Sequence, residues 1–418
     1  MQKQERKDAV NVALGEGLWG FGVGLVAPLT VLPLLLKHLG AGPLELGLFM
    51  GLATAGVLLT QPVGSLLFSH GAGSKRFLIA YLLAVSVVTY AALCSTTFLL
   101  GGRADLHVMA RWLVIALYGA NVLCAGVIVS PWQDWIVGLF GLKSRGRANG
   151  MWAGASAAAF SVAALVAASV RRGVGFPRNY ALLMLGAILF FVVSMAQYTR
   201  VSVGHAPEGG PRRQGLRELL SLFGRSLAEK NYRRYLVGRI LLTVGGGAVG
   251  FLAVHFRSEE GGRVSEPMVI LLGAFLTLPQ AVGSYVFGLI GDRSGHRSGM
   301  LVGSVAQVAA IAVAFLGKGW VACALCFACI GLASASILVS HQNMIYETCP
   351  HDRRLAHITL SSLILGPFVA TVFPVTGLLI EWLGSTAAGI GLCIVPTALG
   401  ALWLLFMVRE PRQIVLGG

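Results

Sequence analysis

The sequence predicts an all-α membrane protein: twelve transmembrane helices arranged as two pseudo-symmetric six-helix bundles. Three observations predict it. The chain is 56% hydrophobic and 12% charged, where an ordinary soluble domain is about a quarter charged. Apolar runs of about 20 residues, the length that crosses a bilayer, recur along it. And the octapeptide QPVGSLLF, starting at Gln61, returns as QAVGSYVF, starting at Gln280. The runs are long and do not alternate polar with apolar residues. Within lipid they must satisfy their own backbone groups as helices and not as barrel strands.

Read in order, the first half holds six spans. The span 12–37 carries Glu16, Trp19 and a run of glycines ending at Gly24. The span 44–69 carries Gln61, 77–100 carries no charged residue, and 109–138 carries Asn121 and ends in PWQDWI around Asp134. The span 151–170 opens on the small residues GASAAA, and 179–200 closes the half. A polar connection, 201–235, follows. Turn signals at Pro207 and Gly209–Pro211 open it, and an amphipathic basic helix is expected from Leu216. The second half holds spans 236–256, 267–291, 299–317, 319–346, 357–383 and 385–408. The expected organisation is therefore a bundle over 1–200, a connecting loop over 201–235 and a second bundle over 236–418.

The repeat runs beyond one octapeptide. Gly15, Gly22 and Gly24 of the first span correspond to Gly238, Gly245 and Gly247 of the seventh. VIVS ending at Ser130 corresponds to ILVS ending at Ser340. The matches are ordered, at similar offsets, on corresponding spans. They predict two halves related by an axis along the membrane normal.

Basic residues set the orientation. With the N-terminus inside, 23 of the 32 Lys and Arg fall on inner segments, which places both termini and the central loop in the cytoplasm of a multi-pass cell (inner) membrane protein. The same bias accounts for the net charge of +15 without nucleic acid as a partner. The charged N-terminus MQKQERKDAV precedes a long apolar run without a small-residue cleavage site, so no cleavable signal peptide is expected.

Several chemistries are excluded. GFGVG at Gly20–Gly24 lies inside a membrane helix with no strand before it, so it is no dinucleotide fingerprint. Cys323, Cys326 and Cys329 lack a fourth cysteine, Ala333 standing there, so no cluster is expected. The nine histidines are scattered, so no convergent enzymatic site forms. No cofactor or metal is expected. Ionisable groups at membrane depth are functional by default, and few exist. Glu16, Asp134 and Glu347 are the coupling candidates, set against interfacial acids paired with basic residues or capping a helix. Trp19, Asn121, Gln280, His341, Gln342 and Asn343 are the cavity candidates. Gln61 and Gln280 also read as packing positions, because Gly64 and Gly283 follow three residues on.

The stretch GLIGDRSGHR (Gly288, Asp292, Arg293, Gly295, Arg297) resembles the signature of the major facilitator superfamily. It lies after the second span of the second half, as in that family. The first-half copy, SHGAGSKR, lacks the acid. SRGRANG, with Arg145 and Arg147, resembles the family's loop after the fourth helix. The resemblance covers the whole chain and implies alternating access by two rocking bundles, lined by the first and fourth helices of each half. It also implies that Asp292, Arg293, Arg297, Arg145 and Arg147 form conformational switch loops. A carboxylate beside arginines accepts charge-assisted hydrogen bonds that can form in one state and part in another; the alternative is a simple helix cap. The expected function is secondary transport of a small solute, with protons as the coupling ion and a monomer as the working unit. A non-transporting sensor or assembly factor on the same scaffold is the alternative.

Overall fold

The computed structural model describes residues 3–67, 75–137, 139–140, 142–203, 223–347 and 354–411. Among them every regular element is helical. The first half contains α1 (Lys3–Leu25), α2 (Val31–His38), α3 (Pro43–Leu67), α4 (Lys75–Leu100), α5 (His107–Val137), α6 (Leu142–Gly173) and α7 (Arg178–Tyr198). After a short helix at 223–228, α8, come α9 (Lys230–Gly245), a tight 3-10 turn (Gly246–Phe251), α10 (Leu252–Arg257), α11 (Glu266–Ala274) and α12 (Thr277–Ser294). The chain continues with α13 (Arg297–Leu316), α14 (Gly319–Ser336), a π-helical turn (Ile337–His341), α15 (Gln342–Glu347), α16 (Arg354–Leu383), α17 (Thr386–Leu392) and α18 (Ile394–Met407).

Eleven stretches of helix among the described residues are long and apolar enough to cross a membrane. The first predicted span, 12–37, arrives in two pieces. Helix α1 stops at Leu25 and α2 starts at Val31, because Pro28 lacks an N–H and restricts Ala27 before it. Four other spans read as continuous are also interrupted. The eighth breaks at Phe275–Leu276, where the ring of Pro279 clashes with the carbonyl four residues back. The twelfth ends its first piece at Leu392, four residues before Pro396, for the same reason. The seventh tightens at the run Gly245–Gly247, and the tenth widens into the π turn. One expectation is corrected outright. SRGRANG is not a loop but the first two turns of α6, since its Arg and Ala residues are good helix formers and outweigh two glycines.

The chain divides into two compact units. The first comprises Met1–Ala41, Leu48–Arg213 and Glu266–Ala274; the second comprises Gly42–Gly47, Gln214–Ser265 and Phe275–Gly418. In the first, α1 packs on α6 and α7, and α4 packs on α5 and α7. In the second, α9 packs on α16 and α18, and α13 packs on α14 and α18. These are the same neighbours by position in the repeat.

The repeated glycines explain the matching geometry. A Cβ on Gly15 would stand 2.7 Å from the Tyr198 ring of α7, and one on Gly238 would stand 2.6 Å from Leu404 of α18. Gly24 closes on Ala163 and Phe160 of α6, and Gly247 closes on Thr376 and Val372 of α16. Small residues let membrane helices approach closely enough for dispersion contacts to hold them. The octapeptide repeat has the same basis: Gly64 lies against the Val127 backbone of α5, and Gly283 against Leu332 and Ala335 of α14.

Candidate functional site

In the first unit, the ring of Tyr198 lies over the flat surface left by Gly15. There its hydroxyl donates to Glu16 Oε1 at 2.6 Å. Tyr198 is 1% exposed. Trp132 stands edge-on to it at 4.7 Å between ring centroids, with Trp135 at 6.0 Å. Trp19 packs on Phe191 of α7 at 4.4 Å. The carboxyl of Glu16 therefore faces a phenol within an aromatic wall. As a carboxylate it accepts the Tyr198 hydrogen; once protonated it becomes a donor itself. A proton gained or lost here must rearrange that hydrogen bond.

Toward the N-terminal end of α1 the same unit carries a second polar set. Buried Asp8 accepts from the Ser202 N–H (2.9 Å) and hydroxyl (2.6 Å). Lys75 donates to the carbonyls of Thr199, at 2.6 Å, and Val201. Trp135 Nε1 donates to the Ser202 carbonyl at 3.0 Å. The turn leaving α7 is thus tied to α1, α4 and α5.

A third cluster in the first unit centres on Glu266 at the start of α11. Its carboxylate pairs with Arg171 of α6, accepts from the Tyr180 hydroxyl at 2.7 Å and lies 2.9 Å from His38 Nε2. The Arg171 guanidinium sits over the Tyr180 ring, 4.0 Å from its centroid. His38 Nε2 is also 3.2 Å from Arg171 Nη2. A neutral His38 ring can either accept from Arg171 or donate to Glu266 through that nitrogen, not both.

In the second unit, Arg239 of α9 stands one turn beyond Tyr235, beside its hydroxyl. The Tyr235 hydroxyl donates to the His341 carbonyl at 3.1 Å. His341 lies in the π turn, 3% exposed, and its Nδ1 has no partner among the described residues.

The remaining sequence candidates are dispersed. Asn121 donates to Thr89 of α4 at 2.7 Å, an interhelical bond. Asn343 donates to the Val339 carbonyl within its own helix, Gln342 is exposed, and the Gln280 backbone lies against Gly331 of α14. Arg293 is exposed. The Arg297 N–H donates to Glu410 Oε2 at 2.9 Å, and its guanidinium donates to the Leu405 carbonyl. The side chains of Asp134, Arg145, Arg147, Asp292 and Glu347, and the whole stretch SHGAGS before Lys75, lie outside the described residues.

The signature Gly295 has a clear role. Its φ is +88°, and a Cβ there would stand 2.1 Å from the carboxyl carbon of Glu410. Gly295→Ala should therefore cost about 1–3 kcal/mol, the usual size of a strained backbone position, and should displace Glu410. Gly288→Ala, where nothing lies within 4 Å, should be neutral or slightly stabilising. Thermal unfolding of both variants checks the contrast; equal midpoints would refute it. Glu410, Asp8, Tyr198 and the Glu266 cluster are what sequence reasoning missed. The one available signal was a carboxylate at the end of an apolar run.

Comparison with known proteins places this geometry. Residues 235–416 match the sequence model of the Major Facilitator Superfamily. No curated protein matches the chain. Among solved structures, a mutant of the nucleoside transporter NupG superposes with a TM-score of 0.73 at 12% identity, covering 96% of this chain and 100% of that one. A bacterial homologue of the human lysosomal transporter Spinster, described as inward-facing and unoccupied, gives 0.68 at 13%, covering 98% and 97%. An auto-inhibited peptide transporter of the POT family gives 0.64 at 14%, covering 96% and 95%. The second half, residues 235–416, thus matches the Major Facilitator Superfamily, and the fold over nearly the whole length is that of these solved membrane transporters.

Proposed function

We propose that the protein moves a small solute by alternating access and that a proton gradient drives it, with Glu16 as the proton carrier. The observation that carries this reading is the bond between Glu16 and Tyr198 inside an aromatic wall, in the first span of a transporter fold. A carboxyl whose one hydrogen-bond partner among the described residues is a phenol has two hydrogen-bonding states, and a switch needs two such arrangements. The neighbours' names, a nucleoside transporter and a peptide transporter, differ from one another and assign no solute here.

Purified protein in liposomes tests this. Glu16→Gln should reduce solute accumulation driven by a pH gradient to the level reached at equal pH, while solute exchange continues. Undiminished accumulation would remove Glu16 and leave Asp134, His341 and Glu347 as carriers. Loss of exchange as well would assign Glu16 to solute binding. No flux of any solute in the wild type would favour the sensor reading, for which the acid-free first-half signature speaks.

The orientation belongs to the same proposal: both termini and residues 201–235 on the cytoplasmic side, between bundles 1–200 and 236–418. The support is the excess of basic residues on inner segments, 22 of 32 once Arg239 is counted within the seventh span. A cysteine at position 212 should resist an impermeant reagent in intact cells, and one at 260 should react. The reverse pattern would invert the topology.

A further inference from the structure

Arg239 is a permanent charge with no carboxylate paired to it among the described residues. It lies five residues beyond Arg234 along α9, about 7.5 Å deeper along the helix axis, within the span Lys230–Arg257. Charged side chains at membrane depth are costly and normally pair with an opposite charge. Arg171, whose side chain is 5% exposed, does so with Glu266. Arg239 has the neutral hydroxyl of Tyr235 and no acidic partner among the described residues. A guanidinium cannot discharge by losing its proton, so the compensating negative charge has to come from elsewhere.

The neighbourhood points to a ligand. The Tyr235 hydroxyl, one turn from Arg239 on the same helix, donates its hydrogen to the His341 carbonyl, which joins α9 to the π turn. The His341 ring lies within electrostatic reach of Arg239, and its Nδ1 is buried and unpartnered among the described residues. Its backbone belongs to the π turn Ile337–His341; such single-turn widenings inside helices recur at functional sites. A cation without an acidic partner and an imidazole nitrogen without a hydrogen-bond partner, both among the described residues, therefore lie beside a distorted helix in the second unit.

We propose that the transported solute carries an oxyanion group, a carboxylate or a phosphate, and that Arg239 binds it, with Tyr235 as the positioning residue and His341 Nδ1 completing the contact. This rests on the transporter reading above and specifies its substrate class. The planar guanidinium offers parallel N–H donors that fit either oxyanion. With Glu16 in the matching place of the first unit, the two halves carry opposite charges at corresponding positions, one suited to a proton and the other to an anion.

The test is anion-selective binding to the full chain in nanodiscs at constant ionic strength, followed by the melting temperature. The probes are benzoate and inorganic phosphate, with benzamide as the uncharged control. At least one anion should raise the melting temperature saturably and benzamide should not. Arg239→Gln should weaken that response at least tenfold. Arg239→Lys should keep more of the phosphate response than of the benzoate response, because an ammonium is a point charge without the fork. Tyr235→Phe should weaken it severalfold at unchanged charge. If Arg239→Gln does not fold, the altered phosphate-to-benzoate ratio of Arg239→Lys decides the question. An equal response to benzamide, an unchanged response in the Arg239 variants, or no response of the wild type to either anion overturns the inference. Counterflow of a labelled neutral solute that survives Arg239→Gln would overturn it too and leave the transporter reading standing. Anion binding without flux would count against the transporter reading alone.

Discussion

Gly64→Ala should destabilise the first unit by about 3 kcal/mol or more, at the upper end of overpacking costs. The added Cβ would stand 1.7 Å from the Val127 carbonyl oxygen, 2.7 Å from its carbonyl carbon and 3.1 Å from its Cα. All three are backbone atoms inside α5, and no rotamer change moves them aside. The helices α3 and α5 would have to separate, and the same crossing includes Gly126, whose Cβ would meet Thr60 and Val57. Separation loses the dispersion contacts of the whole seam, the chief attraction between helices in lipid. The equivalent Gly283 supplies the control. There a Cβ would meet side-chain atoms, Leu332 Cδ1 at 2.8 Å and Ala335 Cβ at 2.9 Å. The leucine can turn, so Gly283→Ala should cost about 1 kcal/mol, at the low end of the same range. Thermal unfolding in detergent should separate the two variants clearly. A Gly64→Ala protein as stable as Gly283→Ala would mean the two helices lie further apart than described.

Arg171→Met should cost about 3–5 kcal/mol, the usual consequence of leaving one member of a buried pair alone. The Glu266 side chain is 8% exposed and that of Arg171 5%. Without the guanidinium, Glu266 keeps the Tyr180 hydroxyl and His38, which holds a full charge only when protonated. Methionine preserves much of the stem's volume, so the lost charge dominates the change. The double variant Arg171→Met, Glu266→Met should recover most of the loss, because an ion pair replaced by apolar groups of similar size is commonly neutral or stabilising. Additive losses in a double-mutant cycle would show instead that the two residues contribute separately, through packing.

Span number and spacing were legible because crossing a bilayer demands about 20 apolar residues wherever it happens. The duplication was legible through glycines, since close approach leaves no alternative residue at Gly24 or Gly247. The interruptions were not. A proline acts on the carbonyl four residues earlier, yet Pro131, Pro367 and Pro374 remain inside helices while Pro279 and Pro396 mark breaks. Neighbouring helices decide which breaks are tolerated, and that information is tertiary. The site divides the same way. Glu16 stood out as an acid in an apolar run, but Tyr198 lies 182 residues away. Asp8 and Glu266 sit at span ends, where a charge reads as a contact with water. Their partners Ser202, Arg171 and His38 come from other helices.

The interrupted spans also have a mechanical meaning. A continuous helix is a stiff rod, and a push at one face of the membrane reaches the other. The first and seventh spans are each two shorter rods with a joint, at 26–30 and at Gly246–Phe251. Each joint follows glycines that clamp the preceding rod against its neighbours, Gly22 and Gly24 in the first span, Gly238 and Gly245 in the seventh. Bending then concentrates where the hydrogen-bond ladder is already irregular. A bend at such a joint would leave the clamped rod, with Glu16 in the first span and Arg239 in the seventh, in its bundle contacts.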